Sequence, residues 1–234
     1  MSAAPPLRLV LLRPRNPENL GAVARAMKNF GLSDWAICEL GTHDFPTARR
    51  VAVHAEELLD RPRLCRSLDE AVADCSLVIG TSSRKVRGKR RLLPGEVARL
   101  ALGRAGTTAL VFGDERSGLT NAEVERCDAL SAIPTAPDQP SLNLAQAVAV
   151  YAWEARAARL AAADRPPPPR AAAATDAELL RAEELLRLAL RQGGFLAGPE
   201  RHAVRDLAAT LRRAALTRRE VRLWIAALAR LGKR

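Results

Sequence analysis

The chain has 234 residues, 48% of them hydrophobic but only 3% aromatic, and carries a formal net charge of +11 with a pI near 10.8. This composition supplies one medium core of Ala, Leu and Val plus a small appendage; it argues against base stacking on aromatic platforms and favours a polyanionic partner. Cys38, Cys65, Cys75 and Cys127 form no CxxC pair and there are three histidines, so no zinc-type spacing exists and no metal is expected. The N-terminus lacks the basic start and apolar core of a signal peptide, and no run is long enough to span a bilayer, so a cytoplasmic chain without membrane contact is expected.

Leu7 to Leu12 reads as a buried strand. Leu20, Val23, Ala24, Met27 and Phe30 recur at helical spacing and predict a helix over 19–30 that stops at Gly31. Trp35 to Leu40 returns to strand, 47–59 and 67–74 read as helices, and Ser76 to Gly80 is the next strand, ending in Thr81-Ser82-Ser83. The densest basic run follows, from Arg84 to Arg91. It is not a P-loop, because seven residues separate Gly80 from Gly88 and neither Ser nor Thr follows Lys89. Ala109 to Phe112 is a β-rich run that breaks at Gly113 into Asp114-Glu115-Arg116-Ser117 and closes at Gly118-Leu119. A short helix then leads to a second break at Ile133-Pro134-Thr135, and through Pro140-Ser141-Leu142 to a long helix from Asn143 to about Ala163. Such alternation predicts an α/β fold, a mostly parallel sheet with helices on both faces.

Asp164 to Pro169 cannot continue a helix. It divides the chain into a domain over 1–165, a Pro/Ala-rich linker over 166–174 and an all-helical basic extension over 175–234. Thr175 with Glu178 and Thr217 with Glu220 fit capping boxes, Pro199 can start a helix between them, and three short helices are expected. Val221, Trp224, Ile225, Leu228 and Leu231 make an apolar stripe that reads as core. Residues 170–234 hold 14 Lys and Arg against 7 Asp and Glu, which suits either an RNA grip or dimer support.

Three motifs stand in a telling order: Asn19-Leu20-Gly21-Ala22-Val23-Ala24-Arg25, then FGDERSGL from Phe112, then AIPTAPDQPSLNLAQAV from Ala132. They resemble the SPOUT superfamily of RNA methyltransferases, in its TrmH/TrmJ-like branch, which methylates ribose 2′-hydroxyls. The resemblance covers roughly the first two thirds of the chain. It implies S-adenosylmethionine as donor, a C-terminal deep trefoil knot, and a homodimer formed through helices 19–30 and 143–163. The donor would lie bent against Thr81, Ser82, Ser83, Gly113, Ile133, Pro140, Ser141 and Leu142, with Gly113 permitting close approach and Ile133 and Leu142 walling the adenine.

By the same resemblance Arg25, Asn19, Glu115, Ser141 and Asn143 are the catalytic set, with Arg25 acting on the ribose at the partner's donor site. A guanidinium is effectively never deprotonated, so orientation and electrostatic help are its expected roles. Glu115 would position first-motif residues, and Asn143 would cap the last helix or reach Asn19. Arg84, Lys85, Arg87, Lys89, Arg90, Arg91 and Arg116 are the expected RNA contacts. TrmJ-like sequences often carry arginine where this chain has Asp114, and that reversal is expected to weaken phosphate attraction. Transfer RNA, with its anticodon loop as candidate region, is favoured over ribosomal RNA by the basic extension. Retention of the catalytic set argues against an RNA-binding protein that has lost catalysis.

Overall fold

The structure is a computed structural model that describes residues 6–42, 44–162, 172–195 and 201–232. Its centre is a seven-stranded sheet of order β3-β2-β1-β6-β4-β7-β5, and every pairing is parallel. The strands are β1 (Leu7–Leu12), β2 (Trp35–Cys38), β3 (Arg63–Cys65), β4 (Cys75–Thr81), β5 (Arg90–Leu92), β6 (Thr107–Phe112) and β7 (Ala129–Ser131). A parallel sheet is covered on both faces, so its central strands are mostly apolar, with Arg8, Ser76 and Thr108 as buried exceptions. Side chains alternate sides: Leu9 and Leu11 join one core with Ile37, Ile79 and Leu110, whereas Val10 and Leu12 join a second with Val78, Ala109 and Val111.

The first core is closed by α1 (Pro17–Phe30), α2 (Phe45–Ala52), α3 (Glu56–Leu59), α5 (Pro94–Gly103) and α7 (Leu144–Ala162), and the second by α4 (Leu68–Val72) and α6 (Asn121–Arg126). Asn16 caps α1 by accepting from the Glu18 amide at 2.8 Å, Pro17 opens it, and Gly31 at φ +74° ends it. Gly21 lies where α2 crosses: an added Cβ would stand 2.1 Å from the Ala48 carbonyl oxygen, so close helix packing requires glycine there. The expected helix over 47–59 is two helices, because Val53 (φ +31°) and His54 (φ +64°) leave the helical region. Strands β3, β5 and β7 and helix α5 were not expected; β5 occupies the end of the basic run.

The extension forms three helices, α8 (Asp176–Gln192), α9 (Arg201–Arg213) and α10 (Arg218–Leu231), with capping boxes on α8 and α10. The Asp164 to Pro169 segment lies outside the described residues. The extension docks on the sheet's N-terminal pole, where the Ala177 amide donates to the Ala73 carbonyl at 2.9 Å. Asp176 is 1% exposed and accepts from Arg126 and, at 2.9 Å, from Arg212. Arg212 also pairs with Glu183 and, at 2.8 Å, with Asp128 just before β7. Only part of the α10 stripe is core: Val221 and Leu228 are buried against the extension, whereas Trp224 and Leu231 are exposed. Among the described residues no helix is long and apolar enough to cross a membrane.

Candidate active site

The loops at the C-terminal ends of β1, β6, β4 and β7 carry most of the polar residues singled out in the sequence. After β6 the chain makes a tight loop in which the Gly118 amide donates to the Asp114 carbonyl at 2.8 Å, with Gly118 at φ +66°. An added Cβ at Gly113 would lie 2.2 Å from the Gly118 carbonyl carbon. Glycine is therefore required by the loop's own closure. Gly113→Ala is expected to cost about 1–3 kcal/mol through overpacking. The thermal midpoint checks this, and an unchanged midpoint would contradict it.

Asp114 supports the same loop. Its side chain is buried under the loop, where Oδ1 accepts from the amides of Arg116 (2.9 Å) and Ser117 (3.1 Å) and Oδ2 accepts from Arg15 Nε (3.0 Å). The Arg116 amide above all, with Ser117 and Arg15, holds the carboxyl below the usual carboxylate range despite burial. The charge thus organises the turn.

The same loop presents Glu115, which grips the entry to α1. Glu115 Oε2 accepts from the Arg15 amide at 3.1 Å, and Oε1 accepts from the Asn16 amide at 3.4 Å and from Asn19 Nδ2 at 3.2 Å. Asn19 Oδ1 in turn accepts from Asn143 Nδ2 at 2.8 Å. Asn143 also caps α7, its Oδ1 accepting from the Ala145 amide at 2.8 Å. Three segments distant in sequence thus meet in one hydrogen-bonded chain, Glu115–Asn19–Asn143. Arg25 stands apart. Six residues further along α1 is about 9 Å of rise and a rotation of about 240°, and its exposed side chain has no hydrogen bond or ion pair with any described residue. Ser141 and Leu142 are exposed beside the start of α7.

A cleft of about 310 Å³ lies where the segments after β4 and β7 meet β5, lined chiefly by Ser83, Arg91, Leu92, Leu93, Ile133 and Thr135. Ser131 ties its walls together. Its carbonyl accepts from the Ser82 amide at 2.9 Å, and its hydroxyl donates to the Leu92 carbonyl at 2.9 Å while accepting from Tyr151 at 2.8 Å. Burial pushes the Tyr151 hydroxyl up to about 12, so it stays a neutral donor. Thr81 Oγ1 donates to the Val111 carbonyl at 2.9 Å, and Thr135 Oγ1 to the Pro140 carbonyl at 3.1 Å. Gly113, Pro140, Ser141 and Leu142 do not line this cleft. Leu92, Leu93, Ser131 and Tyr151 escaped the sequence reading, because a three-residue strand such as β5 shows no periodicity and Tyr151 reads as ordinary helix core.

The basic run is less open than a phosphate clamp requires. Lys89 is half-buried, its ammonium donating to the carbonyls of Glu125 (2.7 Å) and Cys127, and burial draws its pKa down; it fastens the run to the end of α6. Arg84 donates to Asn121 Oδ1 at 2.8 Å and to the Leu119 carbonyl, while Arg91 donates to the Ser83 and Arg84 carbonyls at 2.9 and 3.0 Å. Arg90 stands 3.7 Å from Glu96. Lys85, Arg87 and Arg116 are exposed, and their side chains have no described partner. Among the described residues no group of His, Cys, Asp and Glu could hold a metal ion, and burial pushes the thiols of Cys38, Cys75 and Cys127 up to about 12.

Residues 6–153 match the SpoU rRNA Methylase family. Over 232 residues the chain is 38% identical to the tRNA (cytidine/uridine/adenosine-2′-O-)-methyltransferase TrmJ of Pseudomonas aeruginosa, spanning 93% of this chain and 90% of the relative. It is 40% identical over 168 residues to the tRNA (cytidine/uridine-2′-O-)-methyltransferase TrmJ of Klebsiella pneumoniae, which covers 68% of this chain and 66% of that one. The crystal structure of TrmJ from Z. mobilis superposes with a TM-score of 0.78 at 31% identity, over 96% of this chain and 98% of that chain.

Proposed function

The chain belongs to the SpoU rRNA methylase family, and from that premise we propose that it is an S-adenosylmethionine-dependent ribose 2′-O-methyltransferase acting on transfer RNA. The observation that carries this reading is the Glu115–Asn19–Asn143 chain, which joins the three motifs in a fold with a cleft at the C-terminal strand ends. Transfer RNA is favoured over ribosomal RNA because the Pseudomonas aeruginosa relative, named for transfer RNA, aligns over 93% of this chain, basic extension included.

The cleft suits S-adenosylmethionine: Leu92, Leu93 and Ile133 offer apolar walls for an adenine, and Ser83 and Arg91 a polar edge. When bound, that group supplies a methyl carried on a sulfonium. The residues of this chain then have to hold the ribose for in-line attack and exclude misaligned approaches. Glu115 fixes the entry of α1, and Asn19 and Asn143 lock α1 to α7. Arg25 orients the ribose and steadies the negative charge that builds on its 2′-oxygen as the methyl is transferred and the hydroxyl proton passes to a phosphodiester oxygen of the RNA or to solvent.

Since Arg25 faces away from its own Asn19, it serves the cleft of a partner subunit in a homodimer built on α1 and α7. Support comes from apolar side chains left open there: Trp153 is 54% exposed and packs edge-on against Phe30 at 5.9 Å, and Leu160 is 54% exposed. The same reading makes the segment from Ile133 to α7 the threaded part of a trefoil knot. It also keeps 1–165, 166–174 and 175–234 as catalytic domain, linker and extension, and puts the protein in the cytoplasm with its substrate. Calorimetry with S-adenosylmethionine, with and without a chelator, tests the donor: saturable binding indifferent to the chelator is expected, and no binding or chelator-abolished binding would contradict the proposal.

A further inference from the structure

Two cations at the mouth of this site are anchored to one carboxylate. Arg15, between β1 and α1, has a side chain 60% exposed; its Nε donates to Asp114 Oδ2 at 3.0 Å, and its terminal nitrogens have no described partner. Arg116 donates its backbone amide to Asp114 Oδ1 at 2.9 Å and leaves its exposed guanidinium without a described partner. Asp114 is 5% exposed, and Glu115 between them faces the Arg15 and Asn16 amides and Asn19. Both carboxylates are thus engaged by donors of the fold, while the two guanidiniums keep free N–H groups at the surface. A guanidinium held by Nε has its plane set and still offers its terminal N–H groups, a fork that matches phosphate oxygens.

We propose that Arg15 and Arg116 form a two-guanidinium receptor for an RNA phosphodiester next to the ribose that is methylated, with Asp114 as the buried post that aims Arg15 through its Nε and fixes the backbone from which Arg116 projects. This rests on the methyltransferase reading above. The neighbouring Asn19–Asn143 pair puts the receptor at the junction of all three motifs, whereas in the basic run Lys89, Arg84 and Arg91 are engaged internally and Lys85 and Arg87 are the cations left open.

The test uses the full chain with unmodified transfer RNA transcripts, measuring methyl transfer, RNA affinity across a salt series and donor affinity. Wild-type chain that transfers no methyl group would sink the methyltransferase reading itself, and that is read before any variant. With an active wild type, Arg15→Gln and Arg116→Gln are each expected to raise KM for RNA roughly ten-fold, the scale of a lost charge-assisted hydrogen bond, with kcat and donor affinity unchanged. Each lost phosphate contact should also lower the salt slope of log affinity by about 0.7 to 0.9. Arg15→Lys keeps the charge but loses the Nε contact to Asp114, so it is expected to recover little. A double variant with unchanged KM and salt slope overturns the receptor; full recovery by Arg15→Lys overturns the aiming by Asp114.

Discussion

Arg25→Ala is expected to lower methyl transfer by about 10²- to 10⁴-fold while leaving S-adenosylmethionine affinity unchanged. The side chain is exposed, has no hydrogen bond or ion pair with any described residue, and does not line the cleft of its own chain, so its loss should disturb neither the fold nor the donor pocket. Mixing Arg25→Ala protomers with protomers whose cleft is blocked by Ile133→Arg should restore activity, because the mixed dimer then has one intact cleft facing one intact Arg25. Mixed dimers that stay inactive would show that each site lies within a single subunit.

Arg212→Ala is expected to destabilise the protein by about 3–5 kcal/mol, the usual effect of removing one partner from a buried charge network. Arg212 is 14% exposed and lies against Asp128, Asp176 and Glu183, which are 8%, 1% and 18% exposed. Its removal leaves three carboxylates with less compensation, although Asp176 keeps Arg126 and Asp128 keeps the Val78 amide. Denaturant unfolding measures the loss. The effect should reach the cleft, because Asp128 leads directly into β7 and β7 into Ile133. For the same reason a chain cut after Ala163 should be less stable even though the three motifs precede the cut. An unchanged midpoint for Arg212→Ala would mean that the extension contributes nothing to the body.

Much of this arrangement was legible in the sequence because it is written locally. β1 is apolar but for Arg8 and β6 is apolar from Ala109 onward, and α1 announces itself by period, by Pro17 and by Gly31. Asn19, Glu115 and Asn143 were picked out by motif, and the structure brings them into hydrogen-bond range of one another. What escaped depends on partners that only the fold supplies. Gly21 is explained by a carbonyl on α2, and Gly113 by its own loop folding back. Lys89 and Arg84 looked like free cations, and the carbonyls that engage them lie more than thirty residues on. Arg8, within an apolar strand, is 1% exposed because Asp34 and Asp74 meet it from two other loops. Charged residues are seldom fully buried unless paired, and pairing across such distances leaves no local trace.

Nucleoside mass spectrometry of transfer RNA incubated with the chain and S-adenosylmethionine tests the central claim most directly. The account predicts a methyl group on the ribose 2′-oxygen at a defined position of transfer RNA, formed in the presence of a chelator and absent with Arg25→Ala. A methyl group on a base, methylation confined to ribosomal RNA, or equal product from Arg25→Ala would contradict it.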